Sequence, residues 1–440
     1  MINKLRKKLN SDIHLREILT GSAVTFVFKI SGMLLGYLVV LIISRKYGAE
    51  GVGVYSLTLS ILTFFSIIAM MGMNISILRY VGQFNKTREE YKLKLLYKYA
   101  LELIIPFSLI IGILLYFFAE MIALKIFDNP VYIPALKFIA FLVPLMSLQN
   151  ISVEYIRGLK KLKISEFLRS VNRPLINIIL LIIISLFIND TLLPIYTLGA
   201  GIMASAMYAV YFITNYIKNI KPNKITNLNK KELVKTSMPM MMTAIIAFVL
   251  GNISLYMLEI YSTTEEVGLF SVVLKLSLLI SLALEVVNTI SAPKFSELYW
   301  TKKYDELQNI IMHSSKLIFF SSISIAVVMI LLSNFILQLF GNDFKMVSNV
   351  LLILIIGQMV NASTGSVGVF LNMTGHQHIV RNVVFIIMLL SIFLNFLLVP
   401  SYGMIGAALA TMIGSVLLNI ILVLYVKMKL GYKTYYIPFK

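Results

Sequence analysis

Three ionisable side chains stand deep inside long apolar runs, and their types bear first on the binding of anions. Lys29 lies between Phe28 and Ile30, Lys275 between Leu274 and Leu276, and Glu285 between Leu284 and Val286. A charged group in hydrocarbon costs at least about 2.5–3.5 kcal/mol, so one that persists faces a cavity, pairs, or snorkels to the interface. Lys29 sits roughly 12 Å into its run at 1.5 Å per residue, which is far for snorkelling. Two readings stand side by side. In one, Lys29 and Lys275 line a cationic cavity that holds an anionic substrate, with Glu285 as a coupling or balancing group. In the other, each lysine is locked in a buried ion pair, for instance Lys275 with Glu259 or Glu285, and only fixes packing. Lys137, at the start of its run, reads as an interface residue.

The neutral polar groups are ambiguous in the same way. Asn74, Gln149, Asn150, Asn252, Asn288, Gln358 and Asn361 all fall in apolar surroundings. They are suited to binding sugar hydroxyls, but hydrogen bonds between helices, worth about 0.6 kcal/mol each, account for them equally well. At the ends of runs stand Arg79, Lys294 and Arg157, the last near Lys160, Lys161 and Lys163. These suit lipid phosphates or the phosphate of an incoming lipid headgroup.

Catalytic and metal chemistry find little purchase. The chain has no cysteine and four histidines, His14, His313, His376 and His378. His376-Gln377-His378 has a spacing one metal could use, but no carboxylate or third ligand lies nearby, so it reads as a loop and no metal site is expected. There is no Gly-x-x-x-x-Gly-Lys-Ser/Thr loop for a nucleotide. The connectors on the expected outer side are too short to build a catalytic domain. The chain is expected not to be an enzyme and to carry no cofactor; a coupling ion, H+ or Na+, is not specified.

The elements that must position these residues are membrane helices. Of 440 residues 59% are hydrophobic and 13% charged, whereas a soluble domain carries about 25% charged residues. Apolar runs of about 20 residues recur between short polar breaks, as a hydrocarbon layer about 30 Å thick requires. Helices are needed because backbone polar groups find no water in lipid, and runs such as Ile178 to Leu186 lack the alternation of a barrel strand. Twelve passages are expected, near 20–43, 52–77, 99–120, 133–156, 174–189, 193–217, 237–261, 267–292, 314–335, 347–372, 382–399 and 404–426. This is an all-α polytopic membrane protein.

Orientation follows from the cations. With the N-terminus inside, 32 of the 39 Lys and Arg fall on inner segments and only Arg45, Lys46, Lys125 and Lys345 on outer ones, the asymmetry of the positive-inside rule. Both termini are therefore expected in the cytoplasm of a cell-membrane, multi-pass protein. The net charge of +19 is spread over seven inner segments, where it serves topology and anionic lipids at about 1 kcal/mol per residue near the surface, not nucleic acid. Met1 to Arg16 is basic, but no small-residue cleavage site follows, so the first helix reads as retained.

An internal repeat organises the chain. Glu50-Gly51-Val52-Gly53-Val54-Tyr55-Ser56 is echoed 215 residues later by Glu265-Glu266-Val267-Gly268-Leu269-Phe270-Ser271. The same offset places Ile75-Ser76 on Ile290-Ser291 and Arg79 on Lys294, and it brings two basic connectors, Lys86 to Lys98 and Thr301 to Met312, into the same part of the repeat. Six passages per copy is an even number, so the copies share one orientation, a parallel repeat. Residues 1–217 and 237–440 are expected as two six-helix lobes joined by a basic cytoplasmic linker, 218–236. Such repeats suit transporters that expose a central site alternately to each side, and no channel-like filter is present. Gly32 with Gly36, and Gly406 with Ala410, read as small-residue pairs for close helix approach. Pro106 and Pro144 should kink their helices. The deep charges are not repeated, since the counterparts of Lys275 and Glu285 are Ser60 and Met70, and that of Lys29 is Ala244.

The stretch from Gly21 to Lys29 with Gly32 and Gly36, followed by Ser44-Arg45-Lys46-Tyr47-Gly48-Ala49-Glu50-Gly51-Val52-Gly53-Val54-Tyr55, resembles the Wzx-type polysaccharide flippases. Their superfamily also holds multidrug and toxin extrusion transporters and lipid II flippases. The likeness extends to an Arg near Arg79 and to Tyr155–Lys161 with Arg157-Gly158, and spans the whole chain. It implies export of a polyprenyl-pyrophosphate-linked oligosaccharide from the inner to the outer leaflet without ATP hydrolysis by this chain, with anionic lipids and other glycan-assembly membrane proteins as partners. A cation-coupled exporter of drugs or metabolites is the alternative, and a scaffold for glycan-assembly enzymes a third.

Overall fold

The computed structural model describes residues 13–87, 89–218, 220 and 229–436, with side chains from residue 24 onward. The side chains of the basic N-terminal stretch, His14 among them, and residues 219 and 221–228 of the expected linker lie outside the described residues. Thirteen α-helices are described: α1 (Ile13–Ala69), α2 (Met73–Thr87), α3 (Glu90–Met121), α4 (Tyr132–Gly158), α5 (Leu162–Ile184), α6 (Leu193–Lys218), α7 (Lys230–Tyr261), α8 (Thr264–Trp300), α9 (Tyr304–Leu331), α10 (Ser333–Phe340), α11 (Ser348–Ser363), α12 (Val367–Met373) and α13 (Gln377–Tyr425). No strand occurs among the described residues.

Ten helical stretches are long and apolar enough to cross a bilayer. Two of them, α1 and α13, double back through a single glycine, Gly48 (φ 69°, ψ −168°) and Gly403 (φ 51°, ψ −130°), so the passages number twelve. Both turns need a residue without Cβ. At Gly403 an added Cβ would also stand 2.8 Å from Oε2 of Glu266.

The described chain divides into two compact units, Met1–Val40 with Leu57–Ile245, and Leu41–Ser56 with Ile246–Lys440. In the first unit α4 and α6 are central, with 61% of their apolar windows buried, whereas only 17% of that of α5 is. Phe117, Leu186 and Phe187 point outward, as side chains bathed in lipid must. Gly112 lets α3 lie directly on α4 at its Pro144 kink, where a Cβ would come 2.5 Å from the Ala140 carbonyl. Gly32 makes an equally close approach to the Ser170 carbonyl, 2.3 Å, but Gly36 has nothing within 4 Å and is not part of that contact. Gly406 packs against Leu398 of its own hairpin.

Two boundaries depart from the sequence reading. Helix α5 begins at Leu162 and ends at Ile184, not at 174 and 189, so Glu166, Arg169 and Arg173 lie within a passage and not in an inner loop. Helix α7 begins at Lys230, where the Lys230 ammonium meets Glu102 of α3 at 2.5 Å and lies over the Tyr99 ring.

In the second unit α11 stops at Ser363, turns through Gly365 (φ 66°), and resumes as α12. A tail leaves α13 and threads past this break. Lys433 exchanges two hydrogen bonds with Gln308 (2.9 and 3.0 Å), Ser315 Oγ donates to the Thr434 carbonyl (2.5 Å), and the Tyr436 amide donates to the Ser363 carbonyl (3.1 Å). The tail thus satisfies a carbonyl that the end of α11 leaves unpaired.

Candidate functional site

In the first unit Lys29 is an exposed side chain on α1. Its neighbour Phe28 meets Phe167 edge-on at 6.4 Å, and Gly32 lies on Ser170. Both contacts fall on a π-helical turn of α5, Phe167–Asn172. Such turns widen a helix and free carbonyls. Here the Leu168 carbonyl accepts from Ser205 Oγ (3.1 Å) and Gln149 Nε2 (3.4 Å), and Gln149 also donates to Ser205 Oγ at 2.9 Å. Gln149 thus ties α4, α5 and α6 through its amide nitrogen, while its buried Oε1 has no hydrogen-bond partner among the described residues.

The π turn carries Arg169 and leads into Arg173, both half-buried. Arg169 bonds to Glu154 of α4. Arg157 stands 3.7 Å from Glu154 and 3.8 Å from the buried Glu166. Two arginines thus neutralise two carboxylates that would be costly to bury alone. Arg157, expected at a lipid phosphate, is engaged in this network. Arg169 and Arg173 went unnoticed in the sequence because they precede Pro174 in what read as a loop; their separation of four residues, one face of a helix, was the available signal.

Asn74 is half-buried, one residue into α2. It follows a break at Gly72 (φ 74°), whose Cβ position is 2.2 Å from the Ser237 carbonyl. Ser76 and Ser237 share a hydrogen bond of 2.6 Å across the same contact. Arg79 is exposed on the next turn. Lys137 pairs with Glu120 at 2.6 Å near the Tyr116 ring.

In the second unit the candidate residues gather on α8, which tightens into a 3₁₀ turn at Leu279–Ser281. Lys275 lies one turn before it, half-buried, and Glu285 one turn after, exposed. A mid-helix turn of this kind marks a hinge or a strained position. Its freed carbonyl at Ile280 accepts from Ser322 Oγ (2.8 Å), Ser281 Oγ donates to Gln358 Oε1, and Asn361 Nδ2 donates to Ser281 Oγ (3.4 Å). Gln358 and Asn361 thus brace the turn. Asn288, a turn beyond Glu285, buries its Oδ1 without a hydrogen-bond partner, an acceptor to which a hydroxyl could donate. Glu259 accepts from Thr264 Oγ1 at 2.7 Å. Lys294, the repeat counterpart of Arg79, is exposed and pairs with Glu297 at 2.7 Å. Among the described residues no group of three His, Asp or Glu is placed to hold a metal ion.

The structure therefore collects Lys275, Glu285 and Asn288 on one helix, and carries Lys29 on α1 and Arg169 and Arg173 on α5, two helices that touch at Phe28–Phe167 and Gly32–Ser170. Asn74 and Arg79 share a third helix.

The polysaccharide biosynthesis protein family model matches residues 18–299, and the MatE model matches residues 239–397. A search of curated proteins finds no match. Among solved structures the chain is similar to a multidrug resistance MATE family transporter of the MOP superfamily in an inward-facing conformation, with TM-score 0.75 and 14% identity over 93% of this chain and 98% of that one. It is similar to the lipid II flippase MurJ, with TM-score 0.70 and 17% identity over 93% and 88%. It is also similar to a MOP superfamily transporter from Pyrococcus furiosus, with TM-score 0.63 and 13% identity over 93% and 95%. With twelve passages, no strands among the described residues, and a family model covering more than half its length, the chain belongs to the polysaccharide biosynthesis protein family and has the fold of the MOP superfamily of membrane transporters.

Proposed function

We propose that this transporter flips a polyprenyl-(pyro)phosphate-linked oligosaccharide from the inner to the outer leaflet of the cell membrane by alternating access, for cell-surface polysaccharide synthesis. The supporting observation is the set of basic side chains inside membrane passages, Lys29 and Arg173 in the first unit and Lys275 in the second. A diphosphate needs such cations where water is scarce, while its lipid tail stays in hydrocarbon. Asn288 supplies an acceptor for a sugar hydroxyl, and Glu285 balances charge or couples to an ion. The likeness to the lipid II flippase MurJ agrees with a lipid-linked cargo. In this reading both termini are cytoplasmic, Arg79 and Lys294 meet inner-leaflet phosphates, and other glycan-assembly membrane proteins supply the cargo.

The test is a deletion strain complemented with Lys29→Gln or Lys275→Gln, with membrane expression checked. Lipid-linked glycan should build up on the inner leaflet in the deletion and in both variants. Full export by both variants would remove these lysines from the site. The MatE match over 239–397 favours a second reading, cation-coupled drug export. That reading requires altered drug sensitivity in the deletion with no glycan build-up.

A further inference from the structure

The ninth passage, read from the sequence as reaching residue 335, stops as α9 at Leu331, and the chain bends at Leu332 (φ −101°, ψ 10°) into the eight residues of α10. At 1.5 Å per residue the 28 residues of α9 run about 42 Å, more than the hydrocarbon layer of about 30 Å. The bend therefore comes at a membrane surface. It is the surface away from the basic connector that precedes α9, the outer one in the orientation proposed above.

Around α10 the residues sort into three lanes. Ser333, Leu337 and Phe340 are buried against the protein. Phe335 and Leu339, one turn apart, are exposed, Phe335 to 62%. Asn334 and Gln338, also one turn apart, are exposed along the edge between those two lanes. A helix that leaves hydrocarbon for water changes polarity along its length, whereas one lying in the boundary changes it around its circumference. In α10 the change is around the circumference.

Continuity identifies what meets the apolar lane. Val327, Leu331, Phe335 and Leu339 are all exposed and follow one another in steps of four, so the lane carries the outward stripe of α9 round the bend. Acyl chains cover such a stripe on a membrane passage, and they reach α10 with it. The 3₁₀ turn that follows, Asp343–Val347, sets Met346, 74% exposed, beside the exposed Lys345. An apolar side chain next to a charged one, both uncovered by protein, suits the headgroup boundary.

Arg45 holds the far end of the helix. It donates from Nε to the Leu339 carbonyl (2.5 Å) and from Nη2 to the Gln338 carbonyl (2.8 Å). These carbonyls lie at the C-terminal end of α10, where a cation is favoured twice over, by hydrogen bonding and by the helix dipole. Arg45 and α10 belong to the same compact unit, so the tie is internal to it.

We propose that α10 is an interfacial helix that binds the outer leaflet, with Phe335, Leu339 and Met346 seated in acyl chains, Asn334 and Gln338 among the headgroups, and Arg45 fixing the helix in place. Its partner is phospholipid. This rests on the membrane passages and orientation of the transport reading, and not on its cargo.

The chain has no cysteine of its own, so single-cysteine variants can carry a nitroxide in phospholipid vesicles without background. Oxygen, which concentrates in hydrocarbon, and a nickel chelate, which stays in water, report where each nitroxide lies. Phe335→Cys and Leu339→Cys should favour oxygen and give depths of about 5–10 Å. Asn334→Cys and Gln338→Cys should favour nickel, and Ser333→Cys should meet little of either. Equal nickel access at all four exposed positions would overturn the proposal by placing α10 in water. Oxygen preference at all four would overturn it by standing the helix upright in hydrocarbon. Low access to both reagents at 335 and 339 would replace lipid with a protein partner or a second copy. If Phe335→Cys does not fold, Leu339→Cys on the same lane decides. Adding Arg45→Gln should make the nitroxide at 339 more mobile, and an unchanged spectrum would remove Arg45 from the assembly. In right-side-out vesicles an impermeant maleimide should label Gln338→Cys; labelling only after the vesicles are opened would overturn the outer-leaflet assignment. No readout here requires transport: the expected pattern in a chain that moves no lipid-linked glycan supports the interfacial helix while refuting the proposed cargo.

Discussion

At Gly53 and Gly268 the two copies of the repeat treat each other identically, each glycine lying against a carbonyl of the other copy, Thr264 and Ala49. Two turns further along, at Ser60 and Lys275, they differ. The two places face different constraints. Where one backbone rests on another, a steric rule binds both copies, and each keeps its glycine. Where side chains meet cargo, lipid or each other, no rule ties one copy to its mate. The second copy carries Lys275 and Glu285 and a 3₁₀ turn between them, at Leu279–Ser281. The first carries Ser60 and Met70 there and breaks later, at Gly72, against Ser237. Close packing is thus shared evenly by the copies and chemistry is not.

The largest effect should come from breaking the even part. Gly268→Leu places carbon where the Ala49 carbonyl now stands, 1.8 Å from the Cβ position. Ordinary overpacking costs about 1–3 kcal/mol, and a backbone cannot rotate away as a side chain does. Glycan export in the complemented deletion should fall by about a hundredfold. The equivalent change at Gly53 should match it, and a large difference between the two would break the comparison.

Next in size is a change confined to the uneven part. Glu154→Gln leaves Arg157 and Arg169 without their shared carboxylate. With 15% of that side chain exposed, a loss of about 3 kcal/mol, the lower end for a broken buried pair, is expected. Thermal unfolding in detergent would read it. Residue 369, the position 215 further on, is Val369, so the second copy has no carboxylate at the place of Glu154.

Lys275→Gln should lower export about tenfold, the size of an interaction worth about 1.4 kcal/mol, with little effect on unfolding temperature. A variant that unfolds early but still exports would make Lys275 a packing residue. Ser56→Ala, which removes the hydrogen bond from Ser56 Oγ to Ser271 Oγ at 3.0 Å, should be the mildest, since a neutral hydrogen bond contributes about 1 kcal/mol. It should lower the unfolding temperature in detergent slightly and leave export nearly unchanged.

Much of this architecture is legible in the sequence, because the bilayer imposes its thickness on the chain. The apolar runs mark the passages, and the Gly53/Gly268 echo marks a contact that the folded chain makes. What escaped had partners far away in the chain. Helix α5 was cut short because Glu166, Arg169 and Arg173 look like loop residues until Arg157 and Glu154 of α4 are set beside them. Arg45 looked like an exception to the charge rule until the carbonyls of α10, nearly three hundred residues later, explained it. Gln149, Gln358 and Asn361 could not be told from sugar-binding amides, because helical turns that free a carbonyl leave no mark on residue type.

The tail that threads past the break between α11 and α12 bears on how the protein is made. Ser315 and Ser363 emerge from the ribosome well before Thr434 and Tyr436, their later partners. Through that interval the broken passage has a bare carbonyl at its end, and insertion machinery or headgroup water must tend it. Assembly of the second unit therefore includes a short polar stitch made after its last described membrane helix, and a newborn chain halted before residue 434 would be threaded yet unsealed.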